Sequence, residues 1–323
     1  MRYRTFGRTG WQVSEVGYGM WGLAGWTGSD DEATRQSLQL AVELGCTFFD
    51  TAYAYGEGLS EKLLGDLVRA NPGRKVVTAT KVPPKNLCWP SRRGFRLEDV
   101  FPADHIKEYA EKSLSHLGLP AVDLLQFHVW EDEWAGDERW QRALDDLKKQ
   151  GLIRAAGVSV NRWEPANVLR TLRTGAIDAV QVIYNLFDQA PEDELFPLCR
   201  ELNVAVIARV PFDEGTLTGT LTKESRWPEG DWRNTYFVPE NLIPSVERAE
   251  VLKPLVPTGM TLPEMALRFV LSNPDVDTVI PGMRKPANVR ANIAASDAGP
   301  LPAELLGRLR AHRWDRTPAK WSQ

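Results

Sequence analysis

Short β-branched runs alternate with longer amphipathic stretches along the whole chain. The runs are Val16–Met20, Thr47–Asp50, Lys75–Lys81, Val122–His128, Ala155–Val160, Ala179–Ile183, Val204–Val210 and Asp277–Pro281. They are apolar almost throughout, the pattern of parallel strands buried on both faces. Between them, apolar residues recur at three- and four-residue spacing over 30–44, 60–69, 103–117, 138–150, 163–173, 193–202, 262–271 and 286–295. That spacing predicts a helix in each segment. Ser29-Asp30-Asp31-Glu32 fits a capping box, and Gly45, Gly118 and Gly151 stand where a helix C-terminus wants a left-handed residue.

Strand–helix pairs repeated in this way predict an α/β fold, a (β/α)8 TIM barrel, as a single domain over residues 1–323. The residues before Val13, with Gly7-Arg8-Thr9-Gly10 as a turn, predict a β-hairpin ahead of the barrel. Pro83–Pro102 and Phe212–Pro244 are too long for ordinary connections and are rich in Trp, Pro and Gly, so they read as long functional rim loops. An open doubly wound sheet with a cap is the alternative architecture.

Gly17-Tyr18-Gly19-Met20-Trp21-Gly22 matches a dinucleotide-binding glycine pattern. That pattern needs a helix opening at its third glycine and an acidic residue about 20 positions on, at the end of a second strand. Neither is present. Gly19 and Trp21 instead belong to a glycine-rich loop that lets a ligand approach the first barrel strand.

Polar residues at the ends of buried strands need a reason. The second, third and fourth runs end in Asp50, Lys81 and His128, so the three groups converge on one rim of a barrel. Tyr55 follows Asp50 in the next loop. A buried Lys–Asp pair beside a phenol is the pattern of a tuned general acid. A cation at Lys81 favours the phenolate, which would move Tyr55 down from its usual pKa of about 10 towards neutrality. A plain salt bridge with a core His and Tyr is the structural alternative. Trp21, Trp26, Trp89 and Trp130 fall in rim loops and are candidates for lining an apolar substrate pocket.

Composition removes several classes of function. A formal charge of −4 leaves no basic footprint for nucleic acid or an anionic membrane. Cys46, Cys88 and Cys199 lie far apart without metal-ligand spacing, which argues against a disulfide scaffold and a zinc site, and no metal is expected. The N-terminus leads into no apolar run, so a cytoplasmic location is expected.

In combination and order, these segments resemble the aldo-keto reductase superfamily. The resemblance is carried by Phe6-Gly7-Arg8-Thr9-Gly10, Asp50-Thr51-Ala52-Tyr53-Ala54-Tyr55-Gly56, Lys81, His128, Gly157-Val158-Ser159 and Ile280-Pro281-Gly282. It implies a barrel that binds a nicotinamide cofactor in extended form and reduces a carbonyl, or runs the reverse alcohol or sugar oxidation. Tyr55 is then the proton donor, Lys81 and Asp50 tune it, and His128 orients the substrate carbonyl.

The resemblance also implies cofactor contacts. Ser159 or Asn161, split by Val160, matches the carboxamide contact together with Gln181. Arg209 and Pro211 follow the seventh barrel strand, where relatives stack an aromatic ring on the nicotinamide. Arg209 is flat enough to stack, or is a salt-bridged rim residue. Gly215 and Leu217 match the loop over the pyrophosphate. Gly282, Arg284, Lys285, Asn288 and Asn292 match the segment that holds the adenosine 2′-phosphate. That match implies NADP(H) as cofactor; Asn288 stands where many relatives carry Arg, and Ala291 where many carry an acid, which implies a weaker preference with some use of NAD(H). Two other functions share such a barrel: a nucleotide-binding regulatory subunit with little turnover, and a sugar dehydratase or lyase.

Overall fold

The computed structural model describes residues 1–23 and 31–322. β1 (Tyr3–Phe6) and β2 (Trp11–Ser14) pair antiparallel as the expected hairpin. Its turn closes at Gly10, whose φ of 71° is a left-handed value that favours glycine. The strands β3 (Tyr18–Gly19), β4 (Phe48–Asp50), β5 (Val77–Val82), β6 (Val122–Phe127), β7 (Ile153–Ser159), β8 (Ala179–Ile183), β9 (Ala205–Arg209) and β10 (Thr278–Val279) then follow. They run parallel in chain order. Bridges Val16–Val279 and Gly19–Gly282 join the first strand region to the last and close the barrel.

Closure explains the glycines of the first run. A Cβ on Gly19 would lie 2.6 Å from the Ile280 carbonyl oxygen, and one on Gly17 would lie 3.0 Å from that of Phe48. The missing side chains let the barrel shut, and the backbone N–H of Gly19 donates to the Pro281 carbonyl at 3.1 Å. Gly19 is therefore a seam residue of the barrel.

Side chains alternate between barrel interior and helix layer. Phe48, Ala79, Leu124, Ala155, Ala179 and Ile207 form an inner apolar layer, which Phe6 and Val13 of the hairpin close from below. Two residues further along, the inward positions become Asp50, Lys81, Gln126, Gly157, Gln181 and Arg209. The barrel is dry at the N-terminal ends of its strands and polar at their C-terminal ends.

Of the helices expected from periodicity, Ala103–Leu117 and Leu262–Leu271 occur with those bounds. The segment 163–173 is helical only over Leu169–Arg173. Pro165 lacks an N–H and disfavours a helix interior, and Trp163 has φ 57°. Helices Pro239–Leu252 and Ala303–Arg310 were not anticipated. The former begins at a proline in its first turn, inside what reads as a long loop. Ser29, Asp30 and Trp26 lie outside the described residues. Among the described residues no helix is long and apolar enough to cross a membrane.

Candidate active site

Asp50, Lys81 and His128 leave adjacent strands at the same rim, as the register Lys81–Gln126 and Asp50–Ala79 requires. Lys81 is fully buried and donates to Asp50 Oδ2 at 2.5 Å and to the Thr51 carbonyl at 2.9 Å. The Tyr55 ring lies above this pair, with Lys81 Nζ 5.2 Å from its centroid. His128 meets Tyr55 edge-on at 5.6 Å. All four expected residues thus share one pocket floor.

Gln126 also belongs to this floor. Its Nε2 donates to Asp50 Oδ1 at 3.0 Å, and Gln181 Nε2 donates to the same oxygen at 2.9 Å. Asp50 therefore accepts hydrogen bonds on both oxygens, which is how a buried carboxylate is held. Gly157 makes room for this arrangement, because a Cβ there would lie 2.9 Å from Gln126 Cγ. A glutamine at an inward position two residues before a candidate His was a visible signal, but its partner two strands away was not.

Burial drives the electrostatics. Desolvation raises the Tyr55 phenol above its ordinary value, against the lowering pull of Lys81 and Arg209. The expected shift towards neutrality is thus reversed: removal from water outweighs the cation. Tyr55 keeps its proton at pH 7. Burial, with the Lys81 and Arg209 cations, holds His128 well below the ordinary imidazole range. It is a neutral ring, and its buried Nδ1 has no partner among the described residues.

Arg209 projects inward from the end of β9. Its Nη2 donates to the Val160 carbonyl at 2.8 Å, while its buried Nε has no partner among the described residues. Burial and the neighbouring Arg162 lower its pKa to about 10. Among the described residues neither a carboxylate nor a ring is bonded to that Nε, and there Arg209 is not a simple salt-bridged rim residue.

The carboxamide candidates separate. Asn161 Nδ2 donates to the Trp130 carbonyl at 2.9 Å and to Glu131 Oε1 at 3.0 Å, so it ties the loop after β6 to the loop after β7. Gln181 spends its amide on Asp50 and Gln126. Ser159 ends β7 on the inward face, paired in register with Gln181.

The remaining cofactor candidates lie along one edge of the mouth. Pro211 is buried directly after β9. Gly215, with φ 107°, sits in the short helix Asp213–Thr218 and has open space where a Cβ would be. Leu217 is fully buried beneath it. Gly282 lies exposed beyond β10. Arg284, Lys285 and Asn288 are exposed around the start of helix Pro286–Ala298, where backbone N–H groups suit an anion. Asn292, one turn further in, is 7% exposed, and its Nδ2 has no partner among the described residues. Arg233 and, more weakly, Arg284 hold the Asp231 carboxyl below its usual range, which brings the long loop after β9 beside this helix.

The rim tryptophans divide as well. Trp89 meets His128 edge-on at 4.5 Å and Trp21 meets Trp232 at 5.1 Å; the two are 38% and 43% exposed. Trp130 corrects the expectation. It is fully buried, its Nε1 donates to Thr171 Oγ1 at 2.8 Å, and it packs among Phe127, Trp134 and Trp140. A loop position in sequence does not place a ring at the surface when its neighbours are equally apolar.

A barrel whose polar end joins a buried Lys–Asp pair, a phenol and a neutral imidazole defines a candidate proton-transfer site. Residues 15–313 match the model of the aldo/keto reductase family. The chain belongs to that family, and it is an oxidoreductase of the carbonyl–alcohol class. It is 29% identical to the NADH-specific methylglyoxal reductase of Escherichia coli, over 91% of this chain and 93% of that one. It is also 28% identical to a probable voltage-gated potassium channel β subunit of Arabidopsis thaliana, over 95% and 94% of the two chains. The structure of an aldo-keto reductase from Bacillus halodurans in its holo form superposes with a TM-score of 0.78 at 28% identity, covering all of both chains.

Proposed function

We propose that the protein reduces aldehydes or ketones with NADP(H), with Tyr55 as proton donor. The observation that carries this reading is the buried Lys81–Asp50 pair beneath the Tyr55 ring, with neutral His128 beside it. A phenol that holds its proton at pH 7 is ready to give it to a developing alkoxide, and the Lys81 ammonium stabilises the phenolate left behind. His128 offers an N–H to the carbonyl oxygen and so aligns it with Tyr55. Asp50, fixed by Gln126 and Gln181, holds the ammonium under the phenol.

The residues present fit a nicotinamide dinucleotide. Asn292 Nδ2 and Arg209 Nε, at the two ends of the cleft edge, are buried polar atoms without partners among the described residues. Such groups are costly to leave unpaired. Asn292, Arg284, Lys285 and Asn288 would hold the adenosine end, Gly215 and Leu217 the pyrophosphate, and Ser159 and Arg209 the nicotinamide. When bound, the cofactor supplies the hydride at nicotinamide C4.

An intact Asp50, Tyr55, Lys81 and His128 set supports turnover over a purely regulatory barrel, which has no need of a proton donor. The test is a panel of aldehydes, ketones and aldoses with NADPH and NADH, followed by cofactor absorbance. Carbonyl-dependent oxidation of NADPH supports the reading; product formation without any change in the cofactor would point to lyase chemistry instead.

A further inference from the structure

The C-terminal segment carries a buried cation that the proposed chemistry does not use. Arg316 is 4% exposed at its side chain, yet nothing in the amphipathic pattern marks it. Its Nη2 donates to Asp213 Oδ1 at 2.6 Å and also to Asp188 Oδ2, while its Nε donates to Asp188 Oδ1 at 3.1 Å. The guanidinium lies between Trp163 at 4.5 Å and Trp314 at 4.6 Å. Trp314 in turn donates its backbone N–H to the Phe187 carbonyl at 2.8 Å. One residue near the end of the chain therefore clamps the loops after β7, β8 and β9.

The clamped loop is strained. Asp213 and Glu214 are non-glycine residues with φ of 47° and 55°. Side chains disfavour that region, so surrounding contacts must hold it. Asp213 is held by Arg316, and Glu214 by Arg162 Nη2 at 2.6 Å. Asp213 Oδ2, Thr216 Oγ1, the Tyr236 hydroxyl and Arg316 Nη1 are buried around it with no hydrogen-bond partner among the described residues. Opening the loop would hydrate these atoms and relax the backbone. The closed position thus depends on its two arginine ties.

We propose that Arg316 is a positioning residue for the dinucleotide: it latches the Asp213–Thr218 loop closed over bound nucleotide, so that the nucleotide leaves slowly. This rests on the reading of that loop as the pyrophosphate cover. If loss of the latch leaves the loop closed about a tenth of the time, the apparent Kd for NADPH rises about 10-fold. The increase should fall mainly in the dissociation rate.

The experiment compares the full-length wild type with Arg316→Met and Arg316→Lys. Hydrogen exchange over 212–219 without nucleotide reads the latch itself. Tryptophan-fluorescence titration and stopped-flow release with NADPH read its consequence. Faster exchange in that segment, with a weaker Kd carried by faster release, is expected for Arg316→Met. Arg316→Lys keeps the charge without the two-armed geometry and should fall between, and it serves as the reading variant if Met at this position does not fold. Unchanged exchange in both variants overturns the latch. Faster exchange with unchanged NADPH affinity overturns its role for the nucleotide. A wild type that binds no dinucleotide defeats the proposed function, while the exchange result still reports on the latch.

Discussion

At the scale of single residues, the site works by burial. Tyr55 is more than a phenol near a lysine, because desolvation keeps it protonated and the cation waits beneath it. Tyr55→Phe is expected to lower kcat at least about 100-fold, the usual worth of a positioned acid. Fluorescence titration should show NADPH affinity almost unchanged, and activity within a few-fold of wild type would remove the proton-donor role. His128 gives a pH signature. Its folded pKa is depressed, whereas in the unfolded chain it takes up a proton near pH 6.5. The unfolded state then binds more protons, so this contribution to stability is lost as pH falls through about 6.5, by at most about 1.4 kcal/mol per pH unit. Urea melts at pH 7.5 and 5.5 should show a smaller difference for His128→Asn than for wild type. At the mouth, Trp21→Ala should raise KM for bulky carbonyls over a size series and leave cofactor binding alone, the mark of lost uniform binding.

At the scale of elements, the site depends on how strands meet. Gly19 and Gly157 are positions where a single methyl group has no room. Gly19→Ala would press a Cβ against the Ile280 backbone in the barrel seam, and a carbonyl held in a sheet cannot step aside. Overpacking of this kind costs about 1–3 kcal/mol, which a lowered denaturant midpoint at unchanged slope would register. The glycine spacing is visible in the chain, but it reads equally as a ligand loop. Only the closed barrel shows which backbone approaches it. The helix lost over 163–168 has a similar lesson: its apolar spacing is right, and Pro165 with the left-handed Trp163 breaks it.

At the scale of the whole molecule, the long loop after β9 and the last barrel helix frame one edge of the mouth. Arg284 and Lys285 are exposed there with Asn288, which carries no charge. A 2′-phosphate prefers a guanidinium, and each charged contact is worth roughly 1.5–3 kcal/mol. The protein is expected to prefer NADPH while retaining measurable NADH use, and Arg284→Ala should erase most of the preference. The ratio of kcat/KM for the two cofactors, in both proteins, checks this. A wild type preferring NADH would overturn the assignment.

The local pattern by itself determined the barrel and the rim on which Asp50, Lys81 and His128 meet. A parallel strand buried on both faces must be apolar, so a charged residue at its end stands out, and strand direction then carries it to the C-terminal face. Tertiary structure alone decided the rest. Gln126 found Asp50 two strands away and Gln181 reached it across the barrel, Asn161 turned to the Trp130 loop, and Trp130 entered the core. Arg316 reached back to Asp188 and Asp213 from a tail without periodicity. These partners lie far apart in the chain, and a side chain's identity does not say which distant group will share its burial. The protonation of Tyr55 was decided in the same way, because desolvation is set by everything packed around a group and not by its neighbours in sequence.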